Sequence, residues 1–539
     1  MSSKTRNLIV NNVKMPTDAS IQEAFSVAEN RLRKAGIKLT SPQFRIHRKS
    51  IDARVRDSIK FVYSVLISAE FSNLNERTLN LAGACIEKGE TPIPIFGTEI
   101  LDGRPIIVGS GPCGLFCALM LAENGYAPIV LERGGSVRER INEIESFKRT
   151  RKLNTDTNIQ FGAGGAGTFS DGKLITRIND GMSLYVLKKF VEFGASEEIL
   201  YQAKPHIGTD VLCRVIDKMI SRIEELGGEV RFHTSFLDAD FSSPDITSVS
   251  TNNGSIKIGA LVLALGHSAR DTYEKLISRG IAVESKNFSV GMRIEHLAET
   301  IDRGMYGKKA GDKNLGHAEY ALSYNTKERG VYTFCMCPGG EVVAATSEVG
   351  GVVVNGMSES KRDGVNSNSA VVCSVFREDY GKDPLAAIEF QRKIERAAFA
   401  AGGSNYSAPI ITFGDFVSGK ISNEPKSVIP TYMGGAGVKL ASPYEYLPSL
   451  VCDSIKNAIF DFDRKIRGFA DHDAILTGAE TRTSAPLRIL RNDKTRLAIG
   501  YSNLYPAGEG AGYAGGITSA AIDGIRTSLA IMEKYKPLS

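Results

Sequence analysis

The chain has 539 residues, of which 42% are hydrophobic and 24% are charged, as in an ordinary globular protein. Because single hydrophobic cores stop growing at roughly 250–300 residues, this length predicts two or three domains. The 66 basic and 61 acidic residues leave a net charge of only +5, which gives no electrostatic case for a nucleic-acid-binding protein. The first residues lack a signal peptide's apolar core, and we expect a cytoplasmic protein without membrane segments.

The cysteines and histidines indicate neither disulfides nor a metal. The eight cysteines are scattered without a C-x-x-C pair, and the seven histidines show no metal-ligand spacing. Cys113 and Cys117 lie one helical turn apart, where we expect them to pack as small apolar groups. No metal site is therefore predicted.

Residues 1–100 are predicted to form a small α/β domain. Strand-like runs at Leu8–Val13, Gln43–Ser50 and Phe61–Leu66 accompany one amphipathic helix at Ile21–Ala35. This β-α-β-β pattern makes a ferredoxin-like fold one candidate. The role of the segment is left open between covering a cofactor, adding stability and binding a partner.

A basic cluster in the same segment leaves one alternative function open. The second predicted strand contains a cluster of basic residues: Arg45, His47, Arg48 and Lys49. A solvated strand face is the favoured interpretation, and an RNA contact is the alternative, which would show strongly salt-dependent RNA binding.

The stretch from Arg104 to Glu132 is the most informative part of the chain. It reads as a short apolar strand, the turn G-S-G-P-C-G, an apolar helix, a second strand and an acid. Gly109, Gly111 and Gly114 occupy the three glycine positions of a dinucleotide-binding turn, and the helix from Pro112 would direct its free N–H groups at phosphates. Glu132 falls 23 residues after Gly109, where a carboxylate can accept the ribose hydroxyls. We therefore predict a bound adenine dinucleotide.

Three further segments extend this prediction along the chain. Glu132–Arg140 reads E-R-G-G-S-V-R-E-R, and Phe161–Leu174 is a glycine loop too irregular for a helix or strand. Ala260–Arg270 is an apolar run that ends in glycine, which is typical of a buried parallel strand.

The region 286–480 is predicted to be a β-rich substrate domain. Strand-like runs include Phe288–Glu295, Gly330–Cys337 and Glu341–Glu348, and a helix is predicted at Pro384–Ala401. No second G-x-G-x-x-G stands between a strand and an apolar helix. A dedicated NAD(P)H domain is therefore not expected, and NAD(P)H would visit the substrate cleft only transiently.

The C-terminal run N-L-Y-P-A-G-E-G-A-G-Y-A-G-G-I at Asn503–Ile517 precedes an amphipathic helix. It resembles the second flavin motif of the glutathione-reductase-like flavoproteins, with Glu509 where that family usually has aspartate. The E-R-G-x-x-V-x-x-R pattern at Glu132, F-C-M-C-P-G-G at Phe334 and E-T-R-T-S-A-P-L-R-I at Glu480 add to the likeness. Together they resemble a broad family of uncharacterised FAD-dependent dehydrogenases, which implies FAD as the cofactor.

The resemblance implies an α/β fold class. The expected architecture is a three-layer Rossmann-like FAD-binding domain with a parallel sheet, an inserted β-rich α+β substrate domain and the small N-terminal domain. The expected divisions are residues 1–100 for the N-terminal domain, 101–285 with 481–539 for the FAD-binding domain, and 286–480 for the substrate domain.

Site residues follow from the motifs and from the resemblance. Lys173 or the helix start at 512–517 would stabilise a reduced flavin. The expected cofactor-binding residues are Gly109, Gly111, Pro112, Cys113, Gly114, Glu132, Arg133, Arg140, Gly164, Gly165, Ala166, Gly167, Thr168, Ser170, Ala264, Gly266, Gly508, Glu509, Gly515, Gly516 and Ile517. Arg140 is expected to contact the pyrophosphate. The catalytic candidates are Lys173, Arg270, Arg293, His296, Cys335 and Cys337.

On a regular strand, the Cα atoms of Cys335 and Cys337 would lie roughly 6.5–7 Å apart. This spacing is at or beyond the limit for a disulfide. Half-buried strand cysteines are therefore the favoured interpretation, and a redox pair or a cavity lining is the alternative.

The predicted function is that of an FAD-dependent oxidoreductase, either a dehydrogenase or a reductase. It would act on an unknown small molecule by hydride transfer at flavin N5. The partners are then a small-molecule substrate and an electron donor or acceptor of unknown identity, without a membrane or nucleic acid. A flavin monooxygenase or a C=C reductase of the same fold, an RNA-modifying flavoprotein and a purely structural flavoprotein remain alternatives, because a fold does not fix a reaction.

Overall fold

The structure is a computed structural model that describes residues 6–55, 58–87, 92–175, 181–326, 328–421 and 424–538. The protein is a mixed α/β structure. None of the helices in these ranges has the length and apolar content that crossing a bilayer requires.

The N-terminal segment forms a four-stranded antiparallel sheet with two helices. Its elements are β1 (Arg6–Pro16), α1 (Ile21–Lys34), β2 (Lys38–Asp52), β3 (Lys60–Ser72), α2 (Glu76–Ala82) and β4 (Ala84–Ile86). The strand order is β2-β3-β1-β4, and every neighbouring pair is antiparallel. Helix α1 starts with a capping box between Ser20 and Glu23. Sequence analysis missed α2 and β4, which are only 7 and 3 residues long.

The next part of the chain alternates short strands and helices. Its elements are β5 (Pro105–Val108), α3 (Pro112–Glu123), β6 (Ile129–Leu131), α4 (Val137–Thr150), α5 (Met182–Glu192), α6 (Thr209–Glu225), β7 (Glu229–Arg231), β8 (Phe236–Ala239), β9 (Ser248–Thr251), β10 (Gly254–Lys257), β11 (Ala260–Leu263), α7 (Arg270–Ser278) and β12 (Val283–Ser285). Every residue of β5 and β11 is buried, as expected of central parallel strands.

The following region is richer in strands. Its elements are β13 (Phe288–Leu297), α8 (Ala298–Tyr306), β14 (Ser323–Asn325), β15 (Gly330–Cys337), β16 (Glu341–Ala344), β17 (Val354–Met357), β18 (Asn366–Val375), α9 (Arg377–Tyr380), α10 (Pro384–Ala401), β19 (Ala408–Thr412), α11 (Phe413–Ser418), β20 (Val438–Leu440), α12 (Ser449–Lys465) and β21 (Ile475–Glu480). A seven-stranded sheet runs in the order β14-β15-β18-β13-β21-β19-β20. Its central strands β13 and β18 are ten residues long and almost wholly buried.

The last elements of the chain are β22 (Leu487–Ile489), β23 (Leu504–Pro506) and α13 (Ile517–Lys534). Strand β22 pairs with β12, and β23 joins the parallel sheet. The sheet order is β23-β11-β5-β6-β7, with every neighbouring pair parallel. Helix α13 packs on α3 so closely that a Cβ on Gly524 would lie 2.1 Å from the carbonyl oxygen of Cys113. Segments almost 400 residues apart in sequence therefore meet at one edge of this sheet.

Candidate functional site

A cavity of about 310 Å³ opens at the carboxyl ends of the parallel strands. Val108, Leu131 and Ala264, at or just beyond the ends of β5, β6 and β11, all line it. This edge is where open parallel sheets bind ligands, since the strand ends and the following helix starts leave a crevice there. The cavity extends from there to the seven-stranded sheet, which contributes Phe334, Cys335 and other side chains.

The glycine turn after β5 forms one wall of the cavity. Gly109 has φ +104°, and a Cβ there would lie 2.4 Å from the carbonyl oxygen of Ala264. A Cβ on Gly114 would lie 1.9 Å from the carbonyl oxygen of Gly109, so this glycine serves helix–strand packing behind the wall. Gly111 differs, because the nearest protein atom to its Cβ, the Cα of Gly165, is 4.0 Å away. That opening lets a ligand approach the backbone where α3 begins with Pro112.

Glu132 ties this turn to two neighbouring segments. Its Oε2 accepts hydrogen bonds from the Ser110 amide at 3.0 Å and the Ser110 hydroxyl at 2.6 Å. Its Oε1 accepts from the amides of Gly134 at 2.9 Å and Gly162 at 3.0 Å. The carboxylate lies on the cavity wall, but these bonds occupy about four lone-pair positions. Glu132 thus shapes the turn, and its contact with a ribose stays a prediction.

Arg140 does not reach the cavity, so its predicted pyrophosphate contact is wrong for this structure. Its fully buried guanidinium donates to the carbonyl oxygens of Ala163 at 2.5 Å, Gly165 at 3.0 Å and Ile159 at 2.9 Å. Burial lowers the pKa of Arg140 to about 10. A buried guanidinium must satisfy its donors locally, and here it does so by holding the glycine loop.

The glycine loop divides between the cavity and the core. Gly165, Ala166, Gly167 and Ser170 line the cavity, with Arg133 and Cys113 on neighbouring walls, and their contact with the cofactor stays a prediction. Gly164 and Thr168 instead face the apolar core, because the Ala166–Phe169 segment winds into a short 3₁₀-helix. A Cβ on Gly164 would lie 2.1 Å from the Thr168 hydroxyl oxygen. Both residues were expected to contact the cofactor, and the structure instead places them against the apolar core.

The C-terminal motif supplies the opposite wall. Gly515, Gly516 and Ile517 line the cavity, and a Cβ on either glycine would meet no protein atom within 4 Å. Helix α13 begins here, so the N–H groups of its first turn and its positive dipole end lie at the cavity. Gly508 lies behind the wall, where its amide donates to Asp523 at 2.7 Å, and this corrects its expected ligand contact.

Glu509 and Gly266 also line the cavity. Burial raises the pKa of Glu509 to about 7, and the positive charge of Lys286 opposes this shift. The carboxyl group at the position of the family's usual aspartate is therefore close to half-protonated at neutral pH.

A polar network that sequence analysis missed lies beside Gly266. Ser268 Oγ lies 2.9 Å from His267 Nδ1, bonds Gln160 Oε1 at 3.2 Å and accepts from Arg482 at 3.0 Å. All four residues line the cavity. Arg482 had a sequence signal, since it lies in the E-T-R-T-S motif and is a candidate anchor for an acidic substrate, whereas His267 and Ser268 were marked only by following the Ala264–Gly266 segment.

Three catalytic candidates lie away from the cavity. Arg270 pairs with Glu395 at 2.7 Å, and Arg293 pairs with Glu480 at 2.7 Å. His296 Nε2 lies 2.7 Å from the carbonyl oxygen of Phe469. None of the three belongs to the cavity lining, so the structure corrects their assignment as substrate-contacting groups. Each is almost completely buried and is held by internal partners, as buried polar groups require.

Lys173 does reach the cavity, and it is fixed in place. Its ammonium lies 2.6 Å from Asp171, which also accepts from Arg362 Nε at 2.9 Å and Ser358 at 2.8 Å. Burial disfavours the charged form of Lys173, but the electrostatic effect of the neighbouring acidic groups, Asp171 among them, outweighs it and raises the pKa of Lys173. Lys173 is therefore a positioned cation rather than a solvated side chain.

Cys335 lies on the cavity wall and Cys337 lies directly behind it. Strand β15 contains a bulge between Phe334 and Cys337, where Cys335 adopts φ +45°. The regular strand assumed for these cysteines is therefore absent at this point. No group of three or more His, Cys, Asp or Glu side chains in the described ranges has the arrangement of a metal site.

The sequence was compared with known proteins. Residues 287–483 match a family model described as FAD-dependent protein, C-terminal domain-like. Over 498 residues the chain is 45% identical to a protein of Clostridium beijerinckii (strain ATCC 51743 / NCIMB 8052) described as "Uncharacterized protein", covering 91% of this chain and 92% of the relative. The chain belongs to the family of this clostridial protein. The matched family model is one of FAD-dependent proteins, and FAD is the cofactor of this chain.

Solved structures show more distant similarity. CtdE in complex with FAD is 12% identical with a TM-score of 0.31, and the match covers 80% of this chain and 84% of CtdE. L-amino acid deaminase from Proteus vulgaris is 12% identical with a TM-score of 0.33, over 84% and 97% of the two chains. At this similarity neither structure bears on the reaction of the present protein.

The cavity has the features that FAD requires. Gly111, Gly515 and Gly516 leave space that any side chain would fill, and two helix starts face that space. The Leu131–Arg133 end suits the adenosine half, the Gly109–Gly111 turn suits the pyrophosphate, and the Gly515–Ile517 end suits the isoalloxazine. The described residues therefore fit the cofactor.

Proposed function

We propose that the protein is an oxidoreductase of the glutathione-reductase-like flavoproteins that transfers a hydride between a small molecule and flavin N5. The observation that carries this proposal is the single cavity that joins both cofactor motifs to side chains of the seven-stranded sheet and its loops. Bound FAD supplies hydride transfer at N5 and an exchangeable electron pair. The protein then has to bind, orient and exclude water rather than supply a nucleophile.

The chain's own residues divide these tasks. The α3 and α13 helix starts offer backbone N–H groups to anionic parts of the cofactor. Lys173 places a positive charge at the sheet end of the cavity, held there by Asp171. A fixed cation in an enclosed site stabilises negative charge that develops during reduction.

The substrate side is formed by residues 286–480, which we propose as a separate substrate domain, together with the adjoining Thr483. Phe334, Asn355, Glu480 and Thr483 line the cavity there. Arg293, behind this wall, donates to Asn355 at 2.9 Å and to Glu480 at 2.7 Å and so fixes both side chains. Burial raises the pKa of Glu480, against the effect of Arg293.

A matched experiment tests this function. Purified protein is reduced anaerobically with NADH and NADPH in turn, and then with panels of amino acids, hydroxy acids and enals, while flavin absorbance is followed. Rapid bleaching by one reductant, slowed in Lys173→Met but not in the exposed-lysine variant Lys257→Met, supports the proposal. If none of these reductants bleaches the flavin, a structural role for FAD is favoured.

A further inference from the structure

We propose that Cys335 and Cys337 form a dithiol–disulfide couple that exchanges two electrons with FAD in the cavity. This inference rests on the proposed function for its electron partner, but the couple itself is a property of the chain.

The first step of the argument is the backbone between the two cysteines. Phe334 pairs with Ala370, and Cys337 pairs with Asn368, so three residue steps of β15 span two steps of β18. A bulge of this kind shortens the path between the cysteines relative to the roughly 6.6 Å of two regular strand steps. Cys335 also has φ +45°, outside the strand region, so the Cα spacing of a regular strand does not apply to this pair.

The second step is the position of the Cys337 thiol, which donates a hydrogen bond to the backbone carbonyl oxygen of Cys335 at 3.3 Å. The side-chain interaction between the two cysteines lowers the pKa of the Cys335 thiol and raises that of Cys337. One sulfur is thus favoured as the thiolate, while the other keeps its proton.

The third step is the charge around the pair. Lys173 and Arg293 are the two cations that favour the Cys335 thiolate, against the effect of burial. The Arg293 guanidinium donates to the Cys335 carbonyl oxygen at 2.9 Å and lies 3.8 Å from Cys337 Sγ. A thiolate beside cations is the reactive form in thiol–disulfide chemistry.

The fourth step is access to the cofactor. Cys335 lines the same cavity as Lys173 and the Gly515–Ile517 helix start, whereas Cys337 is completely buried behind it. When the S–S bond forms, the Cys335 thiolate and Cys337 thiol release two electrons and the Cys337 proton. Oxidised FAD takes up two electrons and one proton, so the step balances.

The chain contains its own comparison pair. Cys113 and Cys117 also lie close together in sequence, and Cys113 also lines the cavity. Burial raises the pKa of both thiols, and the negative charge of Asp523 adds to this. We expect this second pair to remain as thiols under conditions that oxidise the first.

Two readouts on the purified full-length protein test the proposal. In the first, the protein is equilibrated in glutathione redox buffers, quenched with acid and alkylated, and its peptides are weighed. Cleavage after Arg329 and Lys361 releases one peptide that contains Cys335 and Cys337 and no other cysteine. The expected result is a peptide with an internal disulfide that is reversed by dithiothreitol. Alkylation of both cysteines in every buffer would overturn the proposal.

In the second readout, FAD-loaded protein that has been pre-oxidised is titrated anaerobically with dithionite. Wild type should take up about four electrons per chain, and Cys335→Ser and Cys337→Ser about two each. The matched variant Cys373→Ser, at a buried cysteine of neighbouring β18, should keep about four. Uptake of four electrons by Cys337→Ser would refute the couple. Uptake of only two by a wild type that does form the disulfide in glutathione buffer would refute the exchange with FAD but not the couple.

Discussion

The Gly111→Val substitution tests whether the glycine turn binds the pyrophosphate of FAD. The backbone of Gly111 has φ −68°, which any residue can adopt, and its Cβ direction is open within the protein. We therefore expect the free protein to lose only about 1 kcal/mol, the usual cost of a poor N-cap residue. The valine methyl groups would instead enter the space assigned to the pyrophosphate.

The expected loss of FAD affinity follows from overpacking. Forcing extra methyl groups into a filled site costs about 1–3 kcal/mol, which corresponds to roughly 5- to 150-fold weaker binding. FAD titration followed by flavin fluorescence measures the affinity, and thermal unfolding of the free protein measures the stability.

Gly181→Val provides the control. Gly181 is the N-cap of α5, has φ −57°, is exposed and is not part of the cavity lining. It should show a similar stability loss and an unchanged FAD affinity. If Gly111→Val binds FAD as tightly as wild type, the pyrophosphate does not lie on this turn.

Three further changes test the groups around the cofactor. Glu132→Gln should lower the free energy of unfolding by about 1–3 kcal/mol even without FAD, because an amide cannot accept all the bonds that the carboxylate receives; unchanged thermal unfolding would contradict this. Arg140→Met should destabilise the glycine loop and weaken FAD binding together, which hydrogen exchange at 162–167 would detect; unchanged protection there would refute its role in the loop. Burial raises the pKa of Glu509 to about 7, and the negative charge of a bound pyrophosphate would disfavour its ionised form. FAD affinity should therefore fall as pH rises above about 7, and this fall should be absent in Glu509→Gln. If wild type and Glu509→Gln show the same dependence of FAD affinity on pH, Glu509 is not the group responsible.

Predictions from sequence were successful where the signal was local. The turn at Gly109–Gly114 and the helix start at Gly516 depend on residues adjacent in the chain, and the structure places both on one cavity. The helix predicted at Pro384–Ala401 has those bounds in the structure, because its proline start and its apolar period lie within it.

The roles of the buried arginines could not be predicted in the same way. Arg270 is paired with Glu395, 125 residues further along, and Arg293 with Glu480, 187 residues away. From sequence alone each was a candidate anchor for an acidic substrate or a surface or ion-pair residue, and its partner could not be named. The bulge at Cys335 is equally hidden, because it depends on the register of β15 against β18. Long-range pairing decides such features, and a single sequence does not display it.

The FAD content of the purified chain tests the central claim most directly. Flavin released by denaturation is quantified against protein, before and after incubation with excess FAD and removal of the unbound cofactor. The account predicts about one FAD per chain, held at the cavity of the strand ends. A chain that binds no flavin, even after incubation with FAD, would contradict it.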